Sequence, residues 1–155
     1  MQFNVARLRA PLDDPLIADF VEGLEPINAL ADGHPGFVWR LETEDGDATS
    51  IRLYDDDLVI VNMSVWEDVE SLRAFVYTTD HRRYLARRKE WFTPIDEAYL
   101  VLWWVPAGTI PDPIEGVRRL EHLREHGPTP TAFTLGRSFP PPEVEESSLD
   151  LSGNV

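Results

Sequence analysis

From Leu58 to Trp66 every residue except Asn62 and Ser64 is apolar, and this run, LVIVNMSVW, reads as a strand buried on both faces. The next stretch changes period. Val69, Leu72, Phe75 and Val76 recur at three- and four-residue steps, which predicts a helix, interrupted at TTD (78–80) and closed by Pro94. Ahead of the central run, residues 2–9 alternate loosely and predict a first strand. APLDDP then announces a helix, with Asp13 or Asp14 as cap and Pro15 in the first turn. Its apolar positions are Leu16, Ile17, Phe20, Val21, Leu24, Ile27 and Leu30. Pro26 should bend or split this helix, and Gly33 should stop it.

Phe37–Glu44 predicts the second strand, with Phe37, Trp39 and Leu41 on one face and Val38 and Arg40 on the other. Residues 45–57 read as a polar connection with a short extended piece around Ile51–Tyr54. Ala98–Pro106 is the fourth strand, apolar on both faces. A last helix follows, capped by Asp112, with Pro113 in its first turn, Ile114, Val117, Leu120 and Leu123 on its buried side, and Gly127 at its end. TAFTLGRSF has the composition of a short fifth strand. The order β-α-β-β-α-β predicts an α+β, ferredoxin-like domain over 1–139, four antiparallel strands under two helices with a C-terminal helix appended. Residues 140–155, proline-led and acidic, read as a flexible tail.

Composition narrows the function classes. The chain has 155 residues, enough for one core. A net charge of −14 argues against nucleic acid and anionic membranes as partners. With no cysteine there is no disulfide scaffold, thiolate metal site or cysteine nucleophile. No apolar run approaches membrane-spanning length, so a soluble, cytoplasmic protein is expected. No histidine pair has ligand spacing with a carboxylate partner, and there is no GxSxG, P-loop or dinucleotide fingerprint. Neither metal nor cofactor is expected.

Asn62 and Trp66 share a strand parity with Leu58, Ile60 and Ser64, so their side chains point to one face. Beneath an apolar helix, an amide and an indole N–H on that face could hold a carbonyl or a developing enolate oxygen. The plainer reading is that Asn62 satisfies backbone and Trp66 is core. His81, at the helix break, is a candidate proton acceptor. The basic run over residues 82–89 is explained by placement toward a helix C-terminus and pairing with surface acids such as Glu67 and Glu70.

Five segments, MQFNVARLRAPLDDP, NALAD-x-x-PGFVWRL, VNMSVWEDVESLRAFVY, H-x-x-x-L-x-RR-x-x-WF and YLVLWWVPAG, resemble the DUF3291 family. That family is similar to the dimeric α/β-barrel superfamily, which includes the antibiotic-biosynthesis monooxygenases. The resemblance implies a homodimer paired sheet to sheet, with a ligand pocket between each sheet and its helices, and Trp39, Phe75, Tyr84, Trp103 and Trp104 are the aromatic candidates to line it. In the cofactor-independent quinone-forming enzymes, an Asn-x-x-x-Trp on the equivalent strand holds the substrate and its oxygenated intermediate, and Asn62 and Trp66 match it. The histidine those enzymes carry on preceding strands has no counterpart, Trp39, Arg40 and Arg52 standing there instead. Phe75 and Leu85 occupy the places of the tryptophan and haem-ligating histidine of haem-degrading relatives, which disfavours haem.

The leading expectation is a small enzyme acting on an aromatic or polycyclic substrate, most simply a monooxygenase of secondary metabolism in which the substrate supplies the electrons. The alternatives are a non-catalytic, stress-associated dimer that sequesters an apolar ligand, and a cyclase or isomerase using the same pocket. A homodimer also follows from the fourth strand, which is apolar on both faces although the two helices cover only one.

Overall fold

The computed structural model describes residues 1–143. The predicted tail beyond Glu143 lies outside the described residues. The fold is α+β, an open antiparallel sheet of five strands with five helices. β1 (Gln2–Leu8) is the central strand. Along one side it pairs with β3 (Val59–Trp66), from Gln2↔Ser64 to Arg7↔Val59. Along the other it pairs with two short strands, β4 (Phe92–Thr93) at Arg7 and Leu8, and β5 (Leu100–Leu102) at Gln2, Phe3 and Asn4. β2 (Phe37–Arg40) closes the outer edge of β3.

The helices begin and end where local chemistry dictates. The Asp14 carboxylate accepts from the Leu16 N–H at 2.9 Å, and a 3-10 turn (Pro15–Ile17) leads into α1 (Ala18–Asp32), which continues through Pro26 undivided. Asp68 caps α2 (Val69–Thr78) by accepting from the Ser71 N–H at 2.7 Å. The hydroxyls of Thr78 and Thr79 donate back to the carbonyls of Ala74 and Phe75, competing with the backbone ladder just where the helix stops. The predicted second helical stretch is therefore two further pieces, α3 (His81–Ala86) and α4 (Arg88–Trp91). Asp112 accepts from the Ile114 N–H at 2.9 Å, Pro113 opens α5 (Pro113–His126), and Gly127 ends it at a φ of 72°.

The helices lie on both sides of the sheet. One face presents Phe3, Val5, Val61, Met63, Val65, Val101 and Trp103, which pack with Leu120 and Leu123 of α5. Gly116 brings the α5 backbone onto the Phe3 ring, since a Cβ there would sit 2.4 Å from a Phe3 ring carbon. The opposite face carries two separate apolar clusters. Trp66, Leu72, Phe75, Ala31, Leu102 and Phe133 form one, under α2 and the C-terminal half of α1. Leu8, Ile17, Ile60 and Trp91 form the other, with Phe20, Tyr84 and Phe92 around them.

Several expectations are corrected. The premise of the sheet-to-sheet dimer, an uncovered face, does not hold, because α5 fills it. A β-bulge between Phe37 and Trp39 reverses the alternation. Phe37 packs against the Trp66 cluster while Trp39 and Leu41 pack against the cluster on the opposite face. The second strand stops at Arg40 and the fourth is only Leu100–Leu102. Ile51–Tyr54 forms no strand, and the expected fifth strand reduces to one bridge between Leu102 and Phe133. On α5 the buried side is Gly116, Leu120 and Leu123, while Ile114 is half exposed on the rim of a surface groove. The basic run does pair with surface acids, but Arg87 takes Asp19 of α1 and Glu90, both at 2.7 Å, in place of the named Glu67 and Glu70.

Candidate functional site

The face under α1–α4 can be followed residue by residue from the register of β3, β1 and β5. One row across it is Ser64, Gln2 and Leu102, and the next is Asn62, Asn4 and Leu100. On β3 and β1 the row beyond that is Ile60 and Ala6. The first row is closed: Gln2 is 5% exposed, Ser64 8% and Leu102 2%. The second is not, for Asn62 is exposed and Asn4 and Leu100 are half-buried. An exposed residue in the middle of the longest strand means that the helices part above it. This opening lies between the Trp66 and the Trp91 clusters.

A chain of hydrogen bonds leads to the opening from inside. The Trp66 indole N–H donates to the Ser64 hydroxyl at 2.9 Å, and that hydroxyl donates to the Gln2 side-chain carbonyl at 2.8 Å. The Gln2 amide in turn donates to Asn4 Oδ1 at 2.5 Å. Three of these four side chains are less than a tenth exposed, where an unpaired polar group would cost about 1–3 kcal/mol. Each is paired, so the network is affordable in the core only as a unit. Asn4 directly opposes Asn62 across the strand pair.

An aromatic group flanks this strip. Trp66 and Phe75 stack with centroids 5.2 Å apart, His34 meets both edge-on at 5.7 Å, and Phe37 meets Trp66 at 5.5 Å. His81 lies against Phe75 at 5.2 Å with Nδ1 3.3 Å from the Val76 carbonyl. Burial holds the His81 pKa below the ordinary histidine value, against the smaller opposing effect of that carbonyl. A neutral imidazole bonded through Nδ1–H keeps Nε2 as a proton acceptor.

Asn62, Trp66, Phe75 and His81 thus belong to one side of the sheet. Trp66 does not offer its N–H to a ligand as expected, because Ser64 already accepts it. Trp39 and Trp103 lie on the other face, Trp39 because of the bulge and Trp103 because neighbours on a strand point in opposite directions. Trp104 is on the Trp66 side, but its N–H donates to the Phe139 carbonyl at 2.8 Å. Tyr84 packs on Trp91 and over Gly23 of α1, joining α3 to α1. Gln2, Asn4 and His34 went unmarked in the sequence, and Ser64 entered only through its strand parity with Asn62. Polar residues at alternate positions of MQFN, beside the N-x-S of the central strand, were the signal for three of them.

Two concavities lie away from Asn62. The cavity between Trp66, Trp103, Trp104, Leu102 and Phe133 measures about 20 Å³, room for a single water and too small for an aromatic ring. A surface groove of about 430 Å³ lies on the α5 side among Leu53, Tyr54, Ile114 and Val117. It shares no residue with the relay. Among the described residues no three His, Asp or Glu side chains gather to hold a metal ion. No described helix is long and apolar enough to cross a membrane.

No curated protein matches the chain. Residues 1–149, nearly its whole length, match the domain of unknown function DUF3291, and the chain belongs to that family.

Proposed function

We propose that the opening over Asn62 receives the oxygen of an aromatic or apolar small molecule, and that the protein is a small enzyme acting on it. The single observation that carries this reading is an exposed amide in mid-strand, flanked by apolar clusters and set across the strand pair from Asn4, where a buried polar relay ends. Asn62 would hold a carbonyl or enolate oxygen and lower the barrier to forming it. His81, neutral and desolvated, is the candidate to take a proton. The reaction that suits these parts is a monooxygenation that uses the substrate's own electrons. A benzylic CH₂ conjugated through its aromatic ring to a ketone loses a proton, the carbanion-enolate reacts with O₂, and the CH₂ becomes C=O as the second oxygen atom leaves in water. In fold terms the reading is a ferredoxin-like subunit, given the order β2-β3-β1-β5 with both crossovers on one side. A homodimer would have to use surface other than the face α5 covers.

A second reading, ligand binding without turnover, is favoured by one specific observation: Ser64 already takes the indole N–H. Oxygen uptake with anthrone as probe separates the two. The enzymatic reading expects uptake matched by anthraquinone formation, reduced about 10²-fold in Asn62→Ala. Saturable binding of anthrone with no uptake above the buffer rate would leave the binding reading; neither uptake nor binding would overturn both.

A further inference from the structure

The relay has a direction, and that direction sets what the opening offers to a ligand. An indole nitrogen can only donate, so the Ser64 hydroxyl must accept from Trp66 and pass its own proton to an acceptor. The partner in reach is the Gln2 side-chain carbonyl. With Oε1 committed to Ser64, Gln2 turns Nε2 toward Asn4, which must present Oδ1 to receive it. Asn4 therefore keeps its carbonyl turned inward and its NH₂ outward. Among the described residues that NH₂ has no protein partner and is not sealed from solvent. Directly opposite stands the Asn62 amide, equally without a side-chain partner.

We infer that Asn4 is a second oxygen-binding residue and Gln2 the positioning residue that fixes its polarity, so that the site prefers ligands presenting an acceptor oxygen, which both Asn4 and Asn62 can serve, over those presenting only donors, which Asn62 alone can serve. This rests on the reading that the opening over Asn62 is a ligand site, and it deepens it. The two amides bracket one position above the β1–β3 pair, where a carbonyl or enolate oxygen can accept from both. An ammonium group meets the same NH₂ dipole with its positive end foremost. Buried Trp66 thus governs selectivity without touching the ligand, through three hydrogen bonds in series.

Two probes with one carbon skeleton test this on the full chain: α-tetralone, whose oxygen only accepts, and 1-aminotetralin, whose ammonium only donates. Side-chain amide resonances of ¹⁵N-labelled protein give the readout. In the free protein the Gln2 NH₂ exchanges slowly with solvent and the Asn4 NH₂ quickly. α-Tetralone shifts the amide signals of both Asn4 and Asn62, and 1-aminotetralin leaves that of Asn4 unshifted and binds more weakly. Asn4→Ala weakens α-tetralone about tenfold, the scale of one hydrogen bond. Gln2→Glu accepts from Ser64 but has no donor for Asn4, so the Asn4 amide turns over, its NH₂ becomes protected, and the preference moves from the ketone toward the amine. Because the new carboxylate also attracts the amine directly, the deciding readout is Asn4: a purely structural role for Gln2 would leave the Asn4 NH₂ exchanging quickly in Gln2→Glu. If Gln2→Glu does not fold, Gln2→Met, which releases Asn4 without reversing it, must lower the ketone-to-amine ratio. Slow exchange at Asn4 in the wild type would overturn the inference. Loss of α-tetralone binding in Asn62→Ala with full retention in Asn4→Ala would overturn it while sparing the parent reading. No α-tetralone binding at millimolar concentration would overturn both.

Discussion

The two faces of the sheet are made from the same three strands and do different work. Under α5 the face is continuous and apolar, from Phe3 and Val5 through Val61 and Met63 to Val101 and Trp103, and Gly116 lets the helix backbone press onto it. Under α1–α4 the face is divided. Two apolar clusters hold the helices at either end, and between them run Gln2, Asn4, Asn62 and Ser64. The first face gives what close packing gives, stability without specific chemistry. The second gives up part of that burial for directed polar groups and one opening. Alternation along β1 and β3 makes this possible, since each strand supplies an oily side and a polar side from consecutive residues.

That contrast can be broken most forcefully from the closed face. Phe3→Ala should cost about 3–5 kcal/mol, because Phe3 is fully buried and supports α5. Denaturant unfolding measures it, and the folded fraction should retain α-tetralone binding. Equal damage to binding would mean the faces are not independent. From the open face, Asn62→Ala should lower turnover about 10²-fold, and Asn62→Asp more, with little change in unfolding free energy because Asn62 is exposed. A destabilised Asn62→Ala protein with intact binding would return Asn62 to a structural role.

Ser64→Ala joins the two effects. It strands the Trp66 N–H and the Gln2 carbonyl, both buried, and should cost about 1–3 kcal/mol while also loosening Asn4. A stability loss with unchanged amide exchange at Asn4 would show the relay to be packing alone. The smallest effect concerns His81. Burial lowers its folded pKa, so the unfolded chain binds the proton more readily. The stability that the neutral imidazole provides is full above the unfolded value, about 6.5, and declines as pH falls below it. His81→Phe, which keeps a ring against Phe75, should flatten that part of the pH–stability curve. An unchanged acid slope would assign it to other groups.

Much of the divided face was visible in the sequence. The parity of Ile60, Asn62, Ser64 and Trp66 needs only the two-residue repeat of a strand, and Asp14 and Asp112 mark their helices by local bonds. The same repeat places Trp103 and Trp104 in different apolar clusters, on opposite sides of the sheet. The Phe37/Trp39 reversal was not visible, because a bulge depends on the partner strand. The roles of Gln2 and Asn4 were hidden for a similar reason: they acquire meaning only when the register sets Gln2 beside Ser64 and Asn4 beside Asn62, some sixty positions along the chain.

The sequence by itself determined the main helix starts, the order of the principal strands and the face polarity of β1 and β3, because caps, breakers and periodicity act over a few residues. Only the tertiary structure decided that α5 docks on the second sheet face, that Trp66 spends its N–H on Ser64, and that the helices part over Asn62. Those outcomes come from long-range packing, in which an amphipathic helix can satisfy its apolar side on any matching surface, and the chain's own pattern does not say which one is left open.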